Sequence, residues 1–146
     1  MKRLFLFAIL LGGLLLTACA STSTPATSGT EGIGQTVALS DGSYTDVSVS
    51  ELQMMLEDKD FVFVNVHIPF EGDLLNTDTS IPYNEIAQNL TQLPAEKDAK
   101  IVLYCRSGNM STQAAKTLVE LGYTNVWNLA GGFNAWQAAG LPMAGE

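Results

Sequence analysis

One thiol stands where the chain passes from an apolar run into a helical pattern. Ile101-Val102-Leu103-Tyr104 is short, apolar and β-branched or aromatic, as a buried strand is. Cys105 to Met110 is a polar loop containing Gly108. Ser111 then opens a helical pattern, with Ala114, Ala115, Leu118, Val119 and Leu121 at helical spacing. This places Cys105 at the carboxyl end of a parallel-type strand, facing the amino end of a helix, where open α/β sheets hold their ligands. Unpaired N–H groups and the helix dipole favour an anion there, and for a cysteine that anion is the thiolate. N–H groups from about Arg106 to Ser111 supply this field without a metal or a general base, and Gly108 lets the loop curl around the sulfur. The expectation is a reactive thiol rather than an inert core cysteine.

The other polar residues are weaker candidates. His67 is the only histidine, and with no Cys/His cluster around it the pattern indicates no metal. A loop histidine reads as polar surface, with a site role as the sharper alternative. Glu71 and Asp73 read equally as solvated loop or site periphery. Arg106 has two open roles, contact with an anionic substrate or a salt bridge to an acidic side chain. Phe133 and Trp136 recur at i, i+3 on a short segment and read as core packing.

Only one other cysteine exists, Cys19, and its surroundings are of a different kind. Met1-Lys2-Arg3 is basic, Leu4 to Leu16 is almost unbroken apolar sequence, and Leu16-Thr17-Ala18-Cys19 follows. This is the arrangement of a secretory signal peptide, 1–18, whose apolar run falls short of the ~20 residues of a membrane-spanning helix. Leu-Thr-Ala-Cys resembles a bacterial lipobox, which makes Cys19 the lipidated first residue of an extracytoplasmic protein anchored to a bacterial membrane. Ala20, rather than Asp, after it resembles the outer-membrane sorting pattern of cells with two membranes. Cys105 is then left without an intramolecular partner. Loss of Lys2 and Arg3 takes the net charge from −8 to −10, too acidic for a nucleic-acid partner.

Residues 19–45 read as a flexible tether, Ser-, Thr-, Pro- and Gly-rich at first, with a turn at Asp41-Gly42-Ser43. The folded domain is expected over 46–146. Val47 and Val49 suggest a strand, and Ser50 with Gln53 a capping box ahead of a helix bearing Leu52, Met55 and Leu56. Phe61 to Val66 is a strand buried on both faces. His67 to Ser80 is a loop, Ile81 to Tyr83 is extended, and Asn84 caps a small helix. Gly122 ends the helix after Cys105, Asn125 to Leu129 is another strand, Gly131-Gly132 is a tight junction, and a last helix stops at Gly140-Leu141-Pro142. Strands alternating with helices, and no Asn-Gly hairpin signal, indicate an α/β fold with a parallel sheet covered on both faces.

The string Tyr104-Cys105-Arg106-Ser107-Gly108-Asn109-Met110-Ser111, then Leu121-Gly122-Tyr123, then Leu129-Ala130-Gly131-Gly132-Phe133-Asn134-Ala135-Trp136, closely resembles the rhodanese-like (sulfurtransferase) domain from about Asp46 to Pro142. The resemblance implies a doubly wound five-stranded parallel sheet flanked by helices, no cofactor, and Cys105 as nucleophile. Its persulfide would be held by a loop of Arg106, Ser107, Gly108, Asn109, Met110 and Ser111, with His67 and Glu71 at the periphery. The implied partners are a small sulfur donor such as thiosulfate and a thiol or cyanide acceptor. Three departures stand out. Met110 lies where the family loop often ends in Arg, Asn65-Val66-His67 replaces Asp-Val-Arg, and 75–80 replaces Gly-His-Ile-x-Gly-Ala. They bear on donor choice, and they also fit a catalytically weak or inactive rhodanese-fold module that binds a partner or senses redox state through Cys105. The loop further resembles the Cys-x5-Arg signature of Cys-dependent phosphatases, but Ser111 occupies the Arg position and the loop is one residue short for a phosphate.

Overall fold

A computed structural model describes residues 32–145. The signal peptide, Cys19 and the first part of the tether expected from the sequence lie outside the described residues.

A six-stranded sheet forms the middle layer, in the order β1-β2-β6-β5-β3-β4. These strands are β1 (Gln35–Leu39), β2 (Gly42–Val47), β3 (Val62–Asn65), β4 (Thr79–Ser80), β5 (Ile101–Tyr104) and β6 (Val126–Leu129). From β2 to β4 every neighbouring pair is parallel, which is the expected five-stranded parallel sheet. The sixth strand corrects the reading of 19–45 as tether. β1 pairs antiparallel with β2, Leu39 opposite Gly42, so Ser40-Asp41 is a two-residue hairpin loop. The Asp41-Gly42 turn that looked like the end of a linker folds the chain back onto itself. β1 therefore starts about ten residues before the expected boundary at Asp46.

Helices cover both faces. On one side α1 (Val49–Glu57) and α3 (Gly132–Ala138) bury Leu52, Phe133 and Trp136 against Phe63, Tyr104 and Leu129. On the other, α2 (Asn109–Glu120) and a 3₁₀ helix at Tyr83–Gln88 bury Ala114, Leu118 and Ile86 against Val64 and Leu103. Every residue of β5 is buried, as the centre of a parallel sheet requires.

The helix starts differ from expectation by one or two residues. Ser48, not Ser50, caps α1. Its hydroxyl accepts from the Glu51 N–H, and the Glu51 carboxylate accepts from the Ser48 N–H at 2.7 Å. Glu51 lies three residues after Ser48 and can close the box with a full charge, which Gln53 cannot. The carboxylate accepts from the Ser48 N–H, from the Ser48 hydroxyl and from the Gly34 N–H, and these three bonds hold it below its ordinary pKa. Val47 ends β2 whereas Val49 opens α1. The segment after Pro82 is a 3₁₀ helix with no side-chain cap, and Asn84 lies inside it.

Candidate active site

At the carboxyl end of β5 the chain does not continue as strand. Cys105 is 1% exposed, with its side chain on the α2 face. The next three residues turn through Gly108, whose φ of +93° is left-handed, and α2 begins at Asn109 rather than at Ser111. Cys105 Sγ accepts from the Gly108 N–H at 3.1 Å and from the Ser111 hydroxyl at 3.5 Å. The same hydroxyl lies 3.1 Å from the Gly108 carbonyl oxygen, so its one proton is shared between two acceptors. The first helical bond of α2 runs from the Thr112 N–H to the Gly108 carbonyl. The N–H groups of Asn109, Met110 and Ser111 come before it and carry no helical bond, so the turn beside Sγ presents unspent donors. These donors and the dipole of α2 make the amino end of the helix a favourable place for an anion.

The loop's other polarity is fixed from across the sheet. The Phe133 N–H donates to the Cys105 carbonyl at 2.9 Å and the Asn134 N–H to the Arg106 carbonyl at 3.0 Å. Two loop carbonyls are thereby turned away from the sulfur. This approach needs a glycine at 132. A Cβ there would run into the Cys105 carbonyl oxygen and come within 2.7 Å of the Arg106 carbonyl carbon. The Gly131-Gly132 junction is thus a fastening for the cysteine loop.

The six loop residues serve unlike roles. Gly108 and Ser111 touch the sulfur. Arg106, Ser107 and Asn109 are exposed, and the Asn109 side chain accepts from Gln113 at 3.2 Å. Met110 is half-buried against the α2-side core, where its thioether can make no ion pair. The open choice for Arg106 resolves towards a salt bridge. Nη1 lies 3.2 Å from Glu71 Oε1, although 55% of the side chain is exposed.

His67 departs from the polar-surface reading. Its side chain is 7% exposed, its ring stands edge-on to Phe133 at 5.4 Å, and Nε2 lies 3.4 Å from Glu71 Oε2 without making a hydrogen bond. Nδ1 is also buried without a partner. His67, Glu71 and Arg106 therefore form a chain beside the cysteine loop, on the α3 side of the sheet.

Asp73 is not solvated loop either. Its Oδ1 accepts from Asn65 Nδ2 at 2.9 Å, from the Ser80 hydroxyl at 3.1 Å and from the Tyr104 hydroxyl at 3.2 Å. Tyr104 O–H also accepts from the Leu74 N–H at 2.9 Å and meets Thr77 Oγ1 at 2.7 Å. Burial, and the Asp73 charge as a lesser cause, push the Tyr104 hydroxyl well above the ordinary tyrosine range, so it stays neutral. Asn65 Oδ1 accepts from the His67 N–H at 2.9 Å, which sets the direction in which His67 leaves β3. No sequence signal pointed to Tyr104, Asp73 and Asn65 as one network, because they are joined only by strand register. Asn65 faces Tyr104 across β3 and β5.

A model of the rhodanese-like domain family matches residues 48–139. The chain belongs to the rhodanese-like domain family. A sulfurtransferase of Allochromatium vinosum is 34% identical over 98 residues, which cover 66% of this chain and 90% of that protein. The thiosulfate sulfurtransferase GlpE of Vibrio cholerae is 30% identical over 102 residues, 68% of this chain and 94% of the relative. Among solved structures, a rhodanese-related protein of Thermoplasma volcanium superposes with a TM-score of 0.58 at 28% identity, covering 69% of this chain and 98% of that one. The matched residues hold β3 to β6, the helices and the cysteine loop; β1 and β2 precede them.

Proposed function

We propose that the protein is a sulfurtransferase that carries sulfane sulfur on Cys105, anchored outside the cytoplasm through lipid on Cys19. The donors around Sγ carry the first half of this reading. The Gly108 N–H and the Ser111 hydroxyl already reach the sulfur, and three more N–H groups at the start of α2 have no helical bond. A persulfide is anionic and one atom longer than a thiolate, so it needs further donors ahead of the first. The balance of the reaction is simple. The Cys105 thiolate attacks the outer sulfur of a donor such as thiosulfate, the S–S bond breaks, and sulfite leaves with the electron pair. Cyanide or a thiolate then attacks the outer sulfur of the persulfide and returns the Cys105 thiolate. The sulfurtransferase relatives support this chemistry. The basic start, the apolar run and Leu16-Thr17-Ala18-Cys19 support the anchor.

Intact mass after incubation with thiosulfate or polysulfide tests the first half. A gain of one sulfur is expected, and none in Cys105→Ser. No gain with any donor, together with no thiocyanate formed from cyanide, makes the protein a non-catalytic module instead. Palmitate labelling in cells tests the second half. Labelling that survives Cys19→Ser removes the lipid anchor.

A further inference from the structure

The sheet has two edges, and they are built differently. β4 is two residues long, and so short an edge offers little to pair with. β1 is five residues long, Gln35-Thr36-Val37-Ala38-Leu39, with no charge and no proline. It pairs with β2 residue for residue, so no bulge twists it away. Among the described residues no strand lies beyond it. It also precedes the residues that the family model matches.

The direction of its main-chain groups follows from the register. The Val47 carbonyl accepts from the Ala130 N–H, so the main-chain groups of the odd-numbered residues of β2 face β6 and those of the even-numbered residues face β1. Gly42, Tyr44 and Asp46 lie opposite Leu39, Val37 and Gln35, which therefore spend their N–H and C=O groups on β2. Those of Thr36 and Ala38 point out of the sheet. The next donor on that side, the Gly34 N–H, is taken by the Glu51 carboxylate at 2.9 Å. The free edge thus consists of two donors and two acceptors spaced evenly about Val37. A second copy of β1, turned about a two-fold axis through Val37, presents the same set in the matching order. Thr36 of each copy then faces Ala38 of the other in a hydrogen-bonded pair, and four main-chain bonds form. Val37 meets its own copy across the axis. Val37 and Leu39 are only partly covered by the α2-side core, and the pairing adds cover to both. No charged side chain on either strand opposes the approach.

We propose that this edge is an interface between two copies of the chain, joined β1 to β1 into one continuous sheet with six strands from each. Antiparallel joining keeps both α2 helices on one face of the sheet. It also sends the two β5 strands in opposite directions, so the two Cys105 loops open at opposite ends. Neither loop takes a residue from the other copy, and the interface stands independently of the sulfur chemistry. It is small, in the class below ~1,200 Å² that gives weak and transient complexes.

Sedimentation velocity of the purified protein over a concentration series tests the association, and two variants test the edge. A monomer–dimer equilibrium is expected, with a dissociation constant of about 1 µM to 1 mM. Ala38→Pro removes an N–H that β2 does not use. Denaturant unfolding should stay near normal, whereas dimerisation weakens by about tenfold or more. Val37→Cys places two thiols across the axis with Cα atoms about 4.5 Å apart, within disulfide reach. Mild oxidation of the full chain is expected to give far more reducible dimer in Val37→Cys than in the unsubstituted chain, which keeps Cys19 and Cys105. The same excess is expected over Ser40→Cys, at an exposed position away from the axis. A protein that stays monomeric throughout the series overturns the interface. So does a dimer equally strong in Ala38→Pro, or no more cross-linking at Val37→Cys than at Ser40→Cys. If Ala38→Pro fails to fold, the cross-linking comparison decides by itself.

Discussion

Two loops leave the carboxyl ends of the neighbouring strands β5 and β3, and they are held in opposite ways. The loop after β5 is held mainly by main chain. α3 N–H groups bind the carbonyls of Cys105 and Arg106, and a loop N–H binds the sulfur. Most of its side chains face solvent or the core and do not shape it. The loop after β3 is held by side chains, with Asn65, Asp73, Thr77, Ser80 and Tyr104 bonded to one another and to its backbone. A main-chain frame is indifferent to most substitutions but intolerant of a Cβ at its close approaches. A side-chain frame depends on the identity of each member. Two of the three departures from the family pattern, at 65–67 and 75–80, touch the second loop, which has a hydrogen-bonded arrangement of its own.

The comparison breaks most sharply at Gly132. Gly132→Ala puts a Cβ against the Cys105 carbonyl at a left-handed φ of +56°. A loss of about 3 kcal/mol in stability is expected from strain and overpacking together, with persulfide formation down by more than tenfold. Denaturant unfolding and intact mass read the two effects, and a variant with normal loading would show that the loop is not fastened from α3.

Tyr104→Phe tests the other frame. It leaves the Leu74 N–H without its acceptor and removes a donor to Asp73, a cost of about 1–3 kcal/mol in urea unfolding. Cys105 loading should stay within a few-fold of normal. Loss of loading in step with stability would merge the two frames into one.

A control outside both loops is the α1 cap. Glu51 has a lowered pKa in the fold, so its contribution is fully present above the ordinary value of 4.5 and is lost as pH falls through the lowered one. Glu51→Gln should cost up to about 1 kcal/mol at neutral pH and flatten the acid limb of the stability–pH curve, with no change in loading at neutral pH. An unchanged acid limb would mean that the cap contributes nothing in solution.

The smallest effect is expected at Met110. Met110→Arg adds a cation beside a main-chain frame that does not depend on this side chain. Turnover with thiosulfate should rise a few-fold relative to a neutral donor, because only the charged donor gains attraction. Equal change for both donors would show that Met110 acts through packing.

The two frames also explain what could be read from the chain. The cysteine loop was legible because strand, glycine loop and helix follow one another in sequence; Gly131-Gly132 read only as a tight junction, since its partner at Cys105 is 27 residues away in the chain. The parallel direction of the central strands followed from strands alternating with helices. The second frame was not legible, since Tyr104 and Asp73 are 31 residues apart and meet only through the pairing of β3 with β5. His67 looked like surface because nothing in its local sequence announces that Phe133 closes over it. β1 was missed for another reason. Its residues alternate poorly, most are exposed, and pairing with β2 rather than burial makes them a strand.

The fastening of the Cys105 carbonyl has a consequence in time. The groups that orient the loop, 131–134, are synthesised more than twenty residues after Cys105. Until they emerge and dock, the carbonyls of Cys105 and Arg106 lack the two N–H groups that fix them. The loop's frame is therefore complete only when the last helix closes, and the end of the domain finishes what its middle begins.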